Sequence, residues 1–310
     1  MIFEVDIMKK IKRKNSRTVT RFVNQFSMWI LLIPAVFVLY FYVWRPQVMG
    51  VVWSFFKMKG YTPTDWIGIT NYVNVVTNTE FIKVLLNTVK YVVFSFFIGY
   101  FPPILLAVMI NEMVRTKNFF KTYIYLPTIL PMVAVTLIWY LIYYPDSSGF
   151  LNSFLVNMGL KPYAWLNDSK VTIILIVIAM TWKGCGGSML LYFSALQGVN
   201  TELYEAAMID GAGMLKRFRH ITLPQISGTM LICVVTQIIG VFQTTEEVMT
   251  MTDGGPNGAS ITLGYQLYKY GFVSGRVGEA LALGNIMFLI LIIMTCFYFV
   301  LNKKVEQNMG

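Results

Sequence analysis

The segment EAAMIDGAGMLKRFRHITLP, from Glu205 to Pro224, is a polar insert between two strongly apolar stretches of the chain. Asn200 or Thr201 can cap a helix at its start, and glutamates in the first turns suit the positive end of the helix dipole. Gly211 and Gly213 then interrupt that helix, because glycine favours turns over helix interiors. The pattern predicts a short helix that ends at a hinge.

A second short helix is predicted after the hinge, from residue 214 to residue 223. Met214, Phe218 and Ile221 recur at i, i+4 and i+7, which places them on one apolar face. Lysine, arginine and histidine cover the other sides. Pro224 is expected to end the helix, because proline cannot donate a backbone hydrogen bond.

The insert has two interpretations. It is either an ordinary solvated loop or a hinged pair of amphipathic helices that docks into a groove of another protein. Ala206 and Ala207 keep one side of the first helix small, which permits close approach. The pattern of residues alone leaves both interpretations open.

The composition of the chain is that of a membrane protein. Of 310 residues, 56% are hydrophobic and only 13% are charged, and the mean hydropathy is +0.60, well outside the usual range for soluble domains. A bilayer core needs about 20 apolar residues per helix, and six stretches qualify. They are 27–53, 84–110, 122–144, 171–196, 228–249 and 281–301. These runs are apolar on every side, which indicates helices and not the alternating strands of a barrel.

The basic residues set the orientation of these spans. With the N-terminus inside, the inner segments hold fifteen of the 25 Lys and Arg residues and the outer segments hold eight; Lys90 and Lys183 lie within spans. Positive charge concentrates on cytoplasmic loops, so both termini and the polar insert are predicted to be cytoplasmic. The net charge of +10 is therefore explained by topology, and no nucleic-acid partner is predicted.

The spans divide the chain into four parts. They are a basic cytoplasmic N-terminal arm (1–27), a first transmembrane helix with an outer segment (28–83), a five-helix core with the insert at 200–225 (84–301), and a cytoplasmic tail (302–310). The arm and the apolar run that follows resemble a signal peptide, but no small-residue cleavage site follows, so an uncleaved first span is expected. Met8 is an alternative start.

Lys183 is the most informative residue of the fourth span. An ammonium group near the middle of a bilayer is costly, so it must face water, protein or substrate. Gly184, Gly186 and Gly187 follow it and thin the helix. Two interpretations remain open: a cavity that admits a ligand, or tight helix packing around a snorkelling lysine. Lys90 can snorkel to the outer interface and is assigned no role.

The fifth span carries a predicted polar stripe. Gln237, Gly240, Val241, Thr244 and Glu247 recur at helical spacing, which would place them on one face of a helix. A stripe of this kind suits a water-filled cavity.

Several kinds of chemistry are excluded. No phosphate-binding loop of the G-x-x-x-x-G-K-[ST] type occurs, so the chain cannot hydrolyse ATP by itself. His220 is the one histidine, which rules out histidine-based catalysis and multi-histidine metal sites; it is expected to be a solvated loop residue. Cys185, Cys233 and Cys296 lie in apolar runs and are expected to pack in the core.

The insert resembles the cytoplasmic signature loop of binding-protein-dependent ABC importer permeases. Glu205-Ala206-Ala207, Gly211, Ile221 and Leu223-Pro224 stand at that loop's spacing, between the fourth and fifth spans. Flanking patterns are similar to those of the sugar permeases in this family, over about 34–301. These patterns are Trp66 to Tyr72, Leu126-Pro127 with Pro131 and Trp139, Gly149 with Asn152 and Trp165-Leu166, and Thr252-Asp253-Gly254-Gly255-Pro256. One departure is Thr245-Glu246, where the family commonly has Phe-Asp.

The resemblance implies an all-α integral membrane fold of the type I ABC importer permease, with a peripheral first helix and a five-helix core. It implies import of a sugar, oligosaccharide or polyol across a bacterial cell membrane, with a homologous second permease, two cytoplasmic ATPase subunits, an extracytoplasmic solute-binding protein and membrane lipid as partners. No cofactor belongs to this chain; ATP and Mg would bind the ATPase.

The alternative is a self-contained ion-coupled transporter that uses Lys183 and Glu246 or Glu247, and we find no inverted repeat to favour it. A membrane-embedded enzyme is a third class, for which no catalytic cluster is present.

The resemblance also assigns candidate site residues. The expected ATPase-coupling residues are Glu205, Ala206, Ala207, Asp210, Gly211, Ile221, Leu223 and Pro224. The expected substrate pathway contains Lys183, Gly184, Gly187, Gln237, Gly240, Val241, Thr244 and Glu246. Gln243 and Tyr192 are further candidates to contact a hydroxyl-rich substrate.

Overall fold

A computed structural model describes residues 32–309, with side chains to residue 300. The N-terminal arm and the first residues of the predicted span 27–53 lie outside the described part. The helices are α1 (Leu32–Trp53), α2 (Thr70–Val76), α3 (Phe81–Glu112), α4 (Lys117–Ile129), α5 (Met132–Ile142), α6 (Phe150–Asn157), α7 (Thr172–Gln197), α8 (Thr201–Ile209), α9 (Met214–Gln243), α10 (Glu246–Met251), α11 (Leu263–Tyr268) and α12 (Val277–Met309). An antiparallel hairpin joins β1 (Phe56–Lys59) and β2 (Thr62–Trp66).

Five of the helices, α1, α3, α7, α9 and α12, are long and apolar enough to cross a membrane. The predicted span at 122–144 is the exception: α4 and α5 together have the required length, but they meet at 96°. The prediction of one continuous helix there is wrong. Leu130 and Pro131 both have extended backbone at the junction, because proline lacks an N–H and disfavours helical geometry in the residue before it.

The predicted fifth span, 228–249, is also shifted. Helix α9 begins at Met214 and runs through Pro224, so the expectation that this proline ends a separate helix is wrong. A wide π-type turn at Phe218–Thr222 directs the N–H of Leu223 to the carbonyl of Phe218 and absorbs the proline. The helix ends at Gln243, and Thr244 leaves helical geometry.

The apolar core lies between α3, α7, α9 and α12. Tyr91 of α3 packs with Ile176 of α7 in one cluster, and Ile104 with Met189 in a second. A third cluster unites the start of α3 with α11 and α12. Helix α1 stands apart: none of its 18-residue apolar window is buried in the described chain. This arrangement is the predicted one, a peripheral first helix beside a bundle.

The outer segment after α1 contains the predicted short helix, α2, and also the hairpin, which the sequence did not indicate. Asn71 ties the two together: its buried side-chain amide donates to the carbonyls of Ser54 (2.8 Å) and Phe56 (2.9 Å). The hydroxyl of Tyr72 is bonded to Ser54 Oγ at 2.7 Å and accepts from Asn285 Nδ2 at 2.9 Å. Helix α2 is therefore fastened to the hairpin, to Ser54 at the end of α1, and to α12.

Candidate functional site

The polar insert folds as two helices joined by a hinge, and the hinge is a specific backbone motif. The side chain of Asn200 accepts from the N–H of Glu202 at 3.0 Å and caps α8. At the other end, the N–H of Ala212 reaches the carbonyl of Ala207 (2.8 Å) and that of Gly211 reaches Met208 (3.0 Å). These two bonds form a Schellman cap, which places Gly211 at φ +72°, a conformation that only glycine adopts without strain.

Most of the predicted coupling residues lie on the surface of this insert. Glu205, Ala206, Asp210, Gly211 and Pro224 are exposed, whereas Ala207, Ile221 and Leu223 are half-buried. The tip between the two helices is also apolar.

Ile209 is 87% exposed and Leu215 is 80% exposed, although neither was predicted as a coupling residue. On the predicted apolar face, Met214 is 60% exposed and Ile221 is half-buried, whereas Phe218 packs against the core cluster. His220 lies on α9 and not in a loop, with Nδ1 at 2.9 Å from the carbonyl of Lys216.

A cavity of about 410 Å³, with a mostly apolar wall that carries several polar side chains, lies among α3, α7 and α9, with the start of α5 and α10 at its edge. Five predicted pathway residues line it: Lys183, Gly184, Gln237, Gly240 and Val241. Tyr192 lines it too. The remaining lining residues are Ser95, Gly99, Tyr100, Pro103, Thr128, Met132, Met180, Thr181, Cys185, Ser188, Cys233, Thr236 and Glu247.

A second cavity of about 460 Å³ shares Met132, Gly240 and Glu247 with the first and contains Gln243, Thr244 and Glu246. The structure therefore brings together the acidic and amide side chains that the sequence placed near the substrate. Gly187 is the exception among the pathway residues. It lines neither cavity and faces Thr128 of α4.

The ammonium group of Lys183 is held at the break between α4 and α5. Its Nζ donates to the carbonyls of Thr128 (3.1 Å) and Leu130 (2.9 Å), while the hydroxyl of Thr128 donates to the carbonyl of Lys183 (2.9 Å). The last carbonyls of a helix lack intrahelical donors, so the lysine satisfies groups that the break leaves free. Lys183 thus combines both predicted features: it packs one helix against another and it borders the cavity.

A break in α3 forms the wall opposite Lys183, and the sequence analysis missed it. The backbone widens into a π-type turn at Ser95–Gly99, and Pro102 and Pro103 cannot donate to the carbonyls four residues before them. The side-chain amide of Gln237 donates to the carbonyl of Ser95 at 2.6 Å. A Cβ at Gly99 would lie 2.7 Å from Gln237 Nε2. The Gly99 and Pro-Pro signals in the sequence pointed to this break.

The predicted stripe on the fifth span is wrong as a single helix face. Gln237, Gly240 and Val241 lie on α9, but Thr244 follows the end of the helix and Glu247 belongs to α10. The chain turns at Thr244, where the hydroxyl of Thr262 donates to the carbonyl of Thr244 at 2.6 Å. The turn brings Glu247, 7% exposed, to the cavity that Gln237 also lines.

The cysteines do not all pack as predicted. Cys233 is buried and Cys185 is half-buried, and both line the cavity wall. Cys296 is exposed, so its assignment to the core is wrong. Among the described residues, no group of three or more His, Cys, Asp and Glu side chains is arranged to hold a metal ion.

The loop at 252–262 is fastened to α3 by one face of that helix. Lys83 Nζ donates to the carbonyl of Asn257 at 2.6 Å, and Asn87 Nδ2 donates to that of Gly258 at 2.9 Å. One and two turns further along, Thr88 Oγ1 accepts from the N–H of Leu263 and Tyr91 donates to the carbonyl of Ser260. The loop that carries Gly254-Gly255-Pro256 is therefore held in a fixed position over α3.

The loop at 145–170 is organised by Asn152, which is fully buried. Its amide donates to the carbonyls of Pro145 (2.8 Å) and Tyr163 (3.0 Å), and its Oδ1 accepts from Trp165 Nε1 (2.7 Å). Nearby, a hydrogen bond from the Tyr163 hydroxyl lowers the pKa of Asp168 below its usual value, assisted by the N–H of Lys170.

Long apolar helices around a cavity that carries polar side chains, with one short exposed helix hinged to the end of a long helix, are typical of a membrane-spanning transport protein. Residues 99–307 match the family described as binding-protein-dependent transport system inner membrane component, and this chain belongs to that family. It is 33% identical over 273 residues to the probable ABC transporter permease protein YurN of Bacillus subtilis, covering 86% of this chain and 92% of the relative. It is 30% identical to the arabinooligosaccharides transport system permease protein AraP of the same organism, covering 85% of each.

Solved structures show the same fold. The structure of a bacterial ABC transporter involved in the import of the acidic polysaccharide alginate superposes with a TM-score of 0.82 at 23% identity, covering 93% of this chain and 99% of that chain. The chain is therefore a permease component of the inner membrane and not an enzyme; ATP hydrolysis belongs to a separate subunit. Nothing in these comparisons supports the alternative of a self-contained ion-coupled transporter.

Proposed function

We propose that this chain is one of the two permease subunits of an ATP-driven importer for a sugar or oligosaccharide. The observation that carries the proposal is the cavity between α3, α7 and α9, whose wall offers hydroxyl, amide and carboxylate groups from Ser95, Gln237 and Glu247. Hydroxyl-rich ligands bind such groups. The relative AraP, named for arabinooligosaccharide transport, supports the same substrate class.

The proposed assembly contains a homologous second permease, two cytoplasmic ATPase subunits that bind ATP and Mg, and an extracytoplasmic solute-binding protein. The binding protein would deliver substrate to the outer face, where the fastened loop at 252–262 lies. Both termini and the insert would be cytoplasmic, as the distribution of Lys and Arg indicates.

The insert is proposed to carry movement from the ATPase to the cavity. Closure of the ATPase pair would rotate the docked insert, and hydrolysis would return it. Helix α9 begins at Met214 beside the hinge and ends at Gln243 beside the cavity, so rotation of one end displaces the other. The hydroxyls of Tyr204 and Thr222, 3.0 Å apart, tie α8 to this helix.

Individual roles follow from the exposure of the insert. The carboxylate of Glu205 is exposed and free to pair with a basic residue of the ATPase, and Gly211 permits the bend that presents Ile209 and Leu215. The exposed apolar tip would enter a groove of the ATPase, where burying a Leu or Ile side chain contributes about 1.5–3 kcal/mol.

The pathway residues are proposed to act in alternating access. Glu247 and the side-chain oxygen of Gln237 would contact substrate hydroxyls directly, whereas Lys183 and the side-chain nitrogen of Gln237 would shape the site because they already donate to backbone carbonyls. Gly184 and Gly240 leave space beside them, since no atom lies within 4 Å of a Cβ built at either.

The test is purification of the tagged chain together with its ATPase, followed by measurement of ATPase activity that depends on the loaded binding protein. Glu205→Ala and Gly211→Asp are compared with Glu202→Ala, an exposed glutamate in the first turn of the same helix. We expect both insert variants to lose the ATPase or its coupling, and Glu202→Ala to retain it. Transport without any ATPase, or insert variants that behave as wild type, would overturn the proposal.

A further inference from the structure

Two lysines at the start of α4 share one aromatic ring. The Nζ of Lys117 lies 4.7 Å from the ring centroid of Phe193, and the Nζ of Lys121 lies 4.9 Å from it. The two ammonium groups are thus separated by at most the sum of these distances. Phe193 is 4% exposed and both lysines are half-buried, so the pair is part of the packed surface and not a set of freely moving side chains.

The charge of this pair is not neutralised within the described part of the chain. The ion pairs there involve other residues, Lys83 with Glu80 and Arg276 with Glu279. Phe193 lies about one turn before the end of α7, whose terminus supplies roughly half a negative charge. The combined charge of the two ammonium groups exceeds the negative charge at the end of α7 by more than one unit. Arg115 is exposed, lies close to Lys117 in the sequence, and adds a further positive charge.

The pair lies where three apolar helices end next to the polar insert. Helix α3 ends at Glu112, α4 begins at Lys117, and α7 ends at Gln197, a few residues before α8. The face of α4 away from the two lysines is apolar and open, since Phe119 is 65% exposed and Tyr123 is 68% exposed. Cationic groups without a carboxylate partner at the ends of membrane helices fit an anionic lipid headgroup better than a soluble anion or an acidic protein segment.

We propose that Lys117 and Lys121 bind the headgroup of an anionic phospholipid in the cytoplasmic leaflet. The lipid phosphate would accept hydrogen bonds from both ammonium groups, and its acyl chains would pass round α4 along the exposed side chains of Phe119 and Tyr123. The inference rests on the orientation proposed above. It assigns a partner to a surface that neither the cavity nor the ATPase-coupling insert uses.

The experiment is native mass spectrometry of the delipidated, complete transporter titrated with phosphatidylglycerol or with phosphatidylcholine. Each basic residue near an anionic headgroup contributes about five-fold in affinity. We therefore expect the double variant Lys117→Gln, Lys121→Gln to bind phosphatidylglycerol about 30-fold more weakly at its tightest site. Phosphatidylcholine binding should not change.

Two further variants keep the test decisive. Lys161→Gln with Lys170→Gln removes two exposed lysines from the opposite side and should leave binding unchanged, and Lys117→Arg with Lys121→Arg should retain it. Equal phosphatidylglycerol binding by the wild type and the glutamine variant would overturn the proposal. Loss of the ATPase from the glutamine variant, with lipid binding intact, would also overturn it and would assign the lysine pair to a protein partner. Lipid binding is read without transport, so failure of the proposed transport function would be seen separately.

Discussion

Gly186 shows how one residue of a glycine cluster differs from its neighbours. A Cβ at Gly186 would lie 2.5 Å from the carbonyl oxygen of Ile124 and 2.7 Å from Cα of Tyr125, whereas at Gly184 no atom lies within 4 Å. Helix α7 therefore needs glycine at 186 for close contact with the backbone of α4. Gly184 instead leaves space on the cavity side. The sequence predicted that the glycine cluster allows either close helix packing or the approach of a ligand. It could not assign these two effects to individual glycines.

We expect Gly186→Ala to destabilise the protein by about 1–3 kcal/mol, because the backbone of α4 must move to admit the methyl group. Thermal unfolding of the purified transporter measures the effect. Gly184→Ala is the matched control on the same helix and should unfold close to the wild-type temperature. A similar loss in both variants would show that contact with the backbone of α4 does not determine the result, because the higher helix propensity of alanine would by itself raise stability.

A single side chain connects α9 to the break in α3. Gln237 lies on α9, and its amide donates to the carbonyl of Ser95, in the π-type turn of α3. Both helices were predicted as simple spans from their hydropathy. Hydropathy reports the cost of placing a segment in lipid and carries no information about which carbonyl a distant amide reaches.

Replacement of Gln237 by leucine should weaken this connection. Gln237→Leu leaves the carbonyl of Ser95 without its donor, which costs about 1–3 kcal/mol in a buried position, and substrate transport should fall. Thr236→Val is the neighbouring control, since the hydroxyl of Thr236 bonds only carbonyls of its own helix. Unfolding temperature and uptake by reconstituted transporter are measured together. Wild-type stability in Gln237→Leu would mean that this hydrogen bond does not hold the two helices together.

The orientation of the whole molecule is a prediction from charge alone. The hairpin residue Lys57 and the insert residue Ile209 are both exposed, and the proposed topology places them on opposite sides of the membrane. The existing thiols are confined to three positions, so a background free of cysteine can be prepared and checked for transport.

In that background, Lys57→Cys should react with a membrane-impermeant maleimide in spheroplasts, and Ile209→Cys should react only after the membrane is opened. The physical reason is the positive-inside bias of the Lys and Arg residues. Labelling is read by mass shift, with opened membranes as the control in which both sites react. The reverse pattern would show an outward-facing insert, which would be incompatible with a cytoplasmic ATPase.

Local features of the sequence were enough to predict the membrane class, the approximate positions of five membrane-spanning helices, and the hinged insert. These features depend on local terms: transfer of side chains into lipid, helix capping, and the glycine at the hinge. The sequence also indicated that Lys183 must face water, protein or substrate, because an ammonium group in lipid is costly, and it placed Gln237 on a polar stripe. It did not identify the carbonyl groups that these two side chains reach.

Tertiary structure decided the right-angled break between α4 and α5, the turn at Thr244 that brings Glu247 to the cavity, and the wall supplied by α3. It also made Gly186, and not Gly184, the glycine that contacts the backbone of α4. It brought the ammonium groups of Lys117 and Lys121 to the ring of Phe193. Pro131 marks the first break in the sequence, and Gly99 with Pro102 and Pro103 marks the break in α3, but the contacts that define the cavity wall join residues far apart in the chain. Such contacts leave no periodic pattern in the sequence, since side-chain spacing records only the faces of a single helix.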